Sequence, residues 1–222
     1  MIALLRYQAA LLAGSHRWLP PVIFYAAFLA IGVQSGGPIL DAFGWAAGGL
    51  LPVAVWLTRV CVTNEPPAAR ACAAAAAGPG RVHFSCVLTA TGAGLLLALL
   101  GMAVVLLMSD PRSADHQVHV PVLPAAGAGL LAALACVLMG TAIGALCNWP
   151  VLRSPGWGIP TGLTAALLLL VLGASPANAA VTGLVTGSAH GTISTPWLPL
   201  AATVLIAAAA TAVACGLSSR RT

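Results

Sequence analysis

Apolar residues fill this chain in long blocks, and its polar residues collect in the gaps between them. Six blocks are long and apolar enough to cross about 30 Å of hydrocarbon, which takes roughly 17 to 25 helical residues. They lie near Trp18 to Gln34, Ala42 to Val62, Phe84 to Met108, Val122 to Cys147, Ile159 to Ser175 and Trp197 to Leu217, the first and fifth being the shortest. The pattern predicts an all-α membrane protein with six transmembrane helices, the whole chain from 1 to 222 forming one transmembrane domain.

The gaps differ from one another. Residues 64 to 80 predict a short helix between the second and third spans. Asn64 suits an N-cap, Glu65, Pro66 and Pro67 suit a first turn, an alanine run that includes Ala73 and Ala77 propagates the helix, and Gly78-Pro79-Gly80 ends it. A helix so poor in Leu, Ile and Phe does not cross a bilayer, so it belongs outside the hydrocarbon, where it can touch something soluble. Residues 176 to 196 carry no formal charge and mix small apolar residues with Gly, Ser and Thr. They are too polar for a stable span and too apolar for a solvated loop. Such backbone is tolerated at membrane depth where protein or a cavity satisfies it, and a short external re-entrant or interfacial helical element is expected there. Residues 1 to 17 read either as an interfacial helix, with Ile2, Leu4, Leu5, Leu11 and Leu12 toward lipid and Arg6, Gln8, His16 and Arg17 toward head groups, or as a ragged tail. Residues 35 to 41 form a glycine-rich turn, 109 to 121 a polar loop, and 148 to 158 a short loop around Asn148, Trp149 and Arg153.

Charge orients this arrangement. Only 6% of the 222 residues are charged and 60% are hydrophobic, against about a quarter charged in soluble domains. The nine basic residues are all arginine, and with so much Ala and Gly this suggests a GC-rich bacterial genome. Short cytoplasmic loops retain Lys and Arg. With six spans, Arg6, Arg17, Arg59, Arg70, Arg81, Arg153, Arg220 and Arg221 fall on one side, and Arg112 falls opposite with Asp41, Asp110 and Asp115. The expectation is a multi-pass protein of the bacterial plasma membrane with both termini and the 64 to 80 helix in the cytosol. No basic patch with interleaved aromatics points to nucleic acid. The first seventeen residues, broken by Arg6, Tyr7 and Gln8, do not read as a cleavable signal peptide. The six cysteines lack CxxC spacing, which gives no disulfide framework or zinc site.

Candidate chemistry is sparse. Asp115, His116 and His119 have metal-ligand types, but two prolines and no clear helix leave their spacing unfixed, and they read as a solvated loop. Ser188 and His190 invite the idea of an intramembrane hydrolase, yet positions two apart do not face each other, and no Gly-x-Ser-x-Gly context surrounds the serine. HExxH and Walker phosphate-loop motifs are absent, so no enzymatic activity, metal or cofactor is expected in this chain. Proton- and sodium-coupled carriers place ionisable groups inside the membrane, whereas Asp41, Glu65, Asp110 and Asp115 all fall at span ends or in loops. Energy for any uphill transport would come from another subunit. Glycines four apart at 44 and 48, 140 and 144, and 183, 187 and 191 permit close helix approach. Pro52, in mid-span, marks a possible hinge or a static bend.

Six spans, an amphipathic entry helix, a short helix between spans two and three and a re-entrant-looking segment between spans five and six resemble the permease subunits of bacterial ABC transporters of the type-2 exporter class. The local run Asn64-Glu65-Pro66-Pro67-Ala68-Ala69-Arg70, followed by alanines and glycine, looks like actinobacterial members of that group. The resemblance implies a permease that pairs with a second copy or a related chain and with separate ATPase subunits that hold ATP and Mg. Residues 64 to 80 would be its coupling helix, with Asn64, Glu65, Pro66, Pro67, Arg70, Ala73 and Ala77 at the ATPase and Pro52 as a hinge. The alternatives are a membrane scaffold or immunity-type protein that moves no solute and, third, an intramembrane hydrolase.

Overall fold

The computed structural model describes residues 1–115, 117–148 and 158–220, so His116, Trp149, Arg153 and Arg221 lie outside the described residues. Helices account for nearly all the rest: α1 (Ile2–Gly14), α2 (Leu19–Gly32), α3 (Ile39–Thr63), α4 (Pro67–Ala77), α5 (Pro79–Met108), α6 (Val122–Leu146), α7 (Gly158–Val171), α8 (Pro176–His190) and α9 (Trp197–Arg220). Among the described residues α3, α5, α6 and α9 are each long and apolar enough to cross a membrane, and α7 with α8, bent by 48° at their break, make a fifth candidate. The first apolar block is shorter than expected. With 14 residues, α2 is about 21 Å long at 1.5 Å per residue, less than the hydrocarbon thickness.

The bundle is organised around α3, of which 78% of the most apolar window is buried, against 17% for α9 at the periphery. It packs against α2, α5, α6, α7 and α8. Between helices in lipid, close contact does what water exclusion does in a soluble core. The α3–α6 seam shows this. A Cβ on Gly140 would lie 2.5 Å from the Leu51 carbonyl oxygen and 2.7 Å from the Ala54 Cβ, and one on Gly144 would lie 2.6 Å from the Thr58 Cβ. Those two glycines therefore make a tight helix crossing, whereas Gly48 faces open space. Aromatic packing holds α2 to α3, where Phe28 stacks on Trp45 at 4.5 Å and the Trp45 Nε1 donates to the Phe28 carbonyl at 2.8 Å. Pro52 is buried within α3, which runs unbroken from Ile39 to Thr63. Lacking an N–H, it leaves the Gly48 carbonyl without its helical donor.

The segment expected as a short external re-entrant or interfacial helical element is helical over Pro176–His190 and follows α7 along α3. Gly158 lies at Arg59 and Gly162 at Val55, while Val181, Leu184 and Val185 surround Gly44 and Gly187 meets Leu40. Contacts thus progress steadily along α3, so α8 continues the direction of α7. The small side chains of Ala177, Ala180 and Gly187 let α8 sit deep against its neighbours, and the Asn178 Nδ2 donates back to the Leu170 carbonyl across the break.

At the end of the bundle where α3 begins, loops are laced by backbone. The Gly36 N–H donates to the Met108 carbonyl at 2.9 Å, the Asp110 N–H to the Gly37 carbonyl at 2.9 Å, and the Ala114 N–H to the Ser188 carbonyl at 3.0 Å. The opposite end, where Arg6, Arg17, Arg59, Arg70 and Arg81 gather around α1, α4 and the adjoining ends of α3 and α5, is tied by side chains.

Candidate functional site

The arginine-rich end centres on α4. Pro66 occupies its N-cap, Pro67 its first turn, and neither end uses a side-chain cap. Gly78 stops it with φ of +87°, a backbone state that costs glycine nothing, and donates its N–H to the Ala74 carbonyl at 2.8 Å. Pro79 then starts α5 at once, so α4 and α5 meet at a sharp corner.

Asn64 does not cap α4, contrary to the sequence expectation. It terminates α3, and its Nδ2 donates to the Leu11 carbonyl at 2.9 Å, meeting one of the carbonyls that the end of α1 leaves unpaired. Glu65 also turns inward. It is buried, and the Gln8 Nε2 donates to its Oε2 at 3.2 Å. Arg70 reaches back to the end of α3, where its Nη1 donates to the Val62 carbonyl at 2.7 Å, a favourable place for a cation beside a helix C-terminus. The polar residues expected to project from α4 therefore fasten it to α1 and α3. Partial burial, and next the Glu65 carboxylate, push the Tyr7 phenol above its ordinary pKa.

Helix α1 changes role accordingly. Leu4, Leu5, Leu11 and Leu12, expected to face lipid, are half-buried around the buried Gln8, and Leu12 packs on Cys61, Val62, Cys86 and Ala90. Only Ile2 of the five apolar residues is fully exposed.

With its polar groups turned in, α4 presents Ala68, Cys72, Ala75 and Ala76 outward, with Pro66 at the leading edge and Pro67 and Ala71 exposed along the side toward α5. Ala73 and Ala77, expected at the docking face, are half-buried on the side toward the bundle. No residue of α4 is fully buried, so this helix stands on the fold without contributing to its core. Between α4 and the start of α5 lies a cavity of about 380 Å³ lined by Glu65, Pro67, Arg70, Ala71, Ala74, Pro79 and Val82.

Two buried polar residues here escaped the sequence reading. Gln8 interrupts an apolar stretch and so reads as a head-group residue, though its period with Leu4, Leu11 and Leu12 puts it on the packed face. His83, in the second turn of α5, is fully buried with no hydrogen-bond partner at either ring nitrogen among the described residues. Nothing in its local spacing distinguishes it.

The other candidate constellations do not assemble. No group of three His, Cys, Asp or Glu residues able to hold a metal ion occurs among the described residues. Asp115 organises its own loop, accepting from the Ser113 hydroxyl and from the Gln117 N–H. The His190 Nδ1 lies 2.9 Å from the Thr186 carbonyl on the exposed side of α8, while Ser188 is buried, so the two side chains form no dyad. Compared with known proteins, the chain matches no family model, no curated protein and no solved structure.

Proposed function

We propose that this chain is the transmembrane permease subunit of an ATP-driven exporter of the type-2 ABC class, with α4 as its coupling helix in the cytosol. In this reading α3, α5, α6, the α7–α8 pair and α9 cross the membrane, and the short α2 makes a sixth crossing by thinning the bilayer locally. Two permease chains, identical or related, enclose the pathway in the bacterial plasma membrane, and separate ATPase subunits bind ATP and Mg.

The observation that carries the reading is the two-sidedness of α4. Its outer face of alanines, Cys72 and Pro66 allows a partner's groove to approach closely, as helix-in-groove docking requires. Its inner side is fastened through Arg70 to the end of α3, while the adjoining Glu65 and Asn64 hold α1. Displacement of α4 would pass into α3, the most buried helix, and through the Gly78 corner into α5. Pro52 lies along that route as a hinge in α3.

Co-expression with the ATPase encoded beside it, followed by copurification and ATP-turnover measurement, tests the reading. Association lost in Ala75→Glu with membrane insertion retained is expected; failure of the wild-type chain to associate with any ATPase would sink it. A membrane scaffold would use the same face for docking alone, and substrate-stimulated ATP turnover in vesicles separates the two.

A further inference from the structure

A second feature of the arginine-rich end is independent of α4. Where α2, α3 and α7 meet, a cavity of about 320 Å³ is lined by Arg17, Pro20, Trp56, Arg59, Val60 and Ile159, with Thr63 at its rim. Arg59 is held in position there. Its Nη1 donates to the Asn148 Oδ1 at 2.9 Å, and Asn148 is itself fixed by donation from Nδ2 to the Gly144 carbonyl at 2.6 Å. Gly158 is what admits this arginine, since a Cβ at that position would overlap the guanidinium. Arg17, exposed in the turn between α1 and α2, supplies the second cation from another element.

We infer that this cavity binds the headgroup phosphate of an anionic phospholipid. Two positive charges that line one cavity from separate elements suit the negative charge of a phosphodiester. Pro20, Trp56, Val60 and Ile159 supply the apolar wall along which an acyl chain descends, which a free phosphate would not use. The site lies one turn from the end of α3, among the arginines, and its half-buried Trp56 is a residue type that concentrates at the headgroup level. A net negative headgroup is favoured over a zwitterionic one because both lining charges are positive.

The test is native mass spectrometry of the full chain in neutral detergent with equimolar phosphatidylglycerol and phosphatidylcholine. Wild type is expected to retain phosphatidylglycerol preferentially, and Arg17→Ala to lower that retention about five-fold, the effect of one arginine at a charged lipid surface. Arg112→Ala, at the other end of the molecule, should match wild type, and excess inorganic phosphate should not displace the lipid. Arg17→Ala leaves the Arg59–Asn148 contact intact, so it does not depend on a variant that disturbs packing. Equal retention of the two lipids, unchanged retention in Arg17→Ala, or an equal fall in Arg112→Ala would overturn the inference. Displacement by inorganic phosphate would overturn it as well, making this a free-phosphate site.

Discussion

Helices α4 and α8 are built from nearly the same material and put it to opposite uses. Both are short, 11 and 15 residues, both begin with proline, both end at a glycine of positive φ, and both are rich in small residues, mainly Ala in α4 and Ala, Gly, Ser and Thr in α8. In α8 one side of small residues, Ala177, Ala180, Gly187 and Ser188, is buried, and the backbone settles against α3, α6 and α9. In α4 no small residue is buried, the outward side is exposed, and nothing of the helix enters the core. Small side chains permit close approach in both cases. In α8 the approaching surface belongs to the chain itself, and in the proposed function the surface approaching α4 belongs to a partner. A helix that must present a smooth face cannot be held by that face. Arg70, with Glu65 and Asn64 just before it, holds α4 from behind.

Proline exposes that difference most strongly. Ala180→Pro in α8 removes a helical hydrogen bond at a buried position, costing about 3 kcal/mol or more, and should sharply lower the thermal midpoint in detergent. Ala73→Pro breaks α4 by a similar local amount, yet the bundle should melt as wild type while ATPase association is lost. Equal destabilisation by the two would refute the claim that α4 stands outside the core.

Size comes next. A Cβ on Gly187 overlaps the Thr192 carbonyl, so Gly187→Leu overpacks α8 and should cost about 1–3 kcal/mol, read by thermal unfolding. Ala75→Leu has room outward and should leave the midpoint unchanged, its effect confined to docking.

Weaker effects report on the fastening. Arg70→Ala removes a charged hydrogen bond to a helix end at a half-buried site, about 1–2 kcal/mol locally. Amide exchange over residues 67–77 should accelerate while α8 keeps its protection. Asn64→Ala should accelerate exchange at the end of α1 by less, about 0.5–1.5 kcal/mol, since it removes one neutral hydrogen bond. If Asn64 instead capped α4, exchange would rise in α4 and leave α1 unchanged.

The long apolar blocks were legible because a membrane span is a local property of composition. Ala42 to Val62 became Ile39–Thr63, and Val122 to Cys147 became Val122–Leu146, differing by three residues or fewer at the ends, where helices fray. The short helix α4 was legible for the converse reason, its lack of large apolar groups. Its polar partners were not. Asn64 meets Leu11 and Glu65 meets Gln8 across more than fifty residues, and no spacing rule joins positions so far apart. Local rules read Asn64 as a cap and Glu65 and Arg70 as outward charges, whereas the unpaired carbonyls of α1 and α3 claimed Asn64 and Arg70. The onward path of α8 was hidden in the same way, because the contact of Gly187 with Leu40 is a matter of packing, which local polarity does not report.

If the outer face of α4 docks an ATPase in the cytosol, as proposed, Cys72 on that face measures it directly. Cys72 is the exposed cysteine, Cys147 and Cys215 are half-buried, and a variant retaining only Cys72 removes their contribution to the signal. Inverted membrane vesicles prepared with and without the co-expressed ATPase would be treated with a membrane-impermeant maleimide. The account predicts rapid labelling of Cys72 in vesicles lacking the ATPase, strong protection when it is present, and no labelling of intact cells. Equal labelling with and without the ATPase, or labelling from outside intact cells, would contradict it.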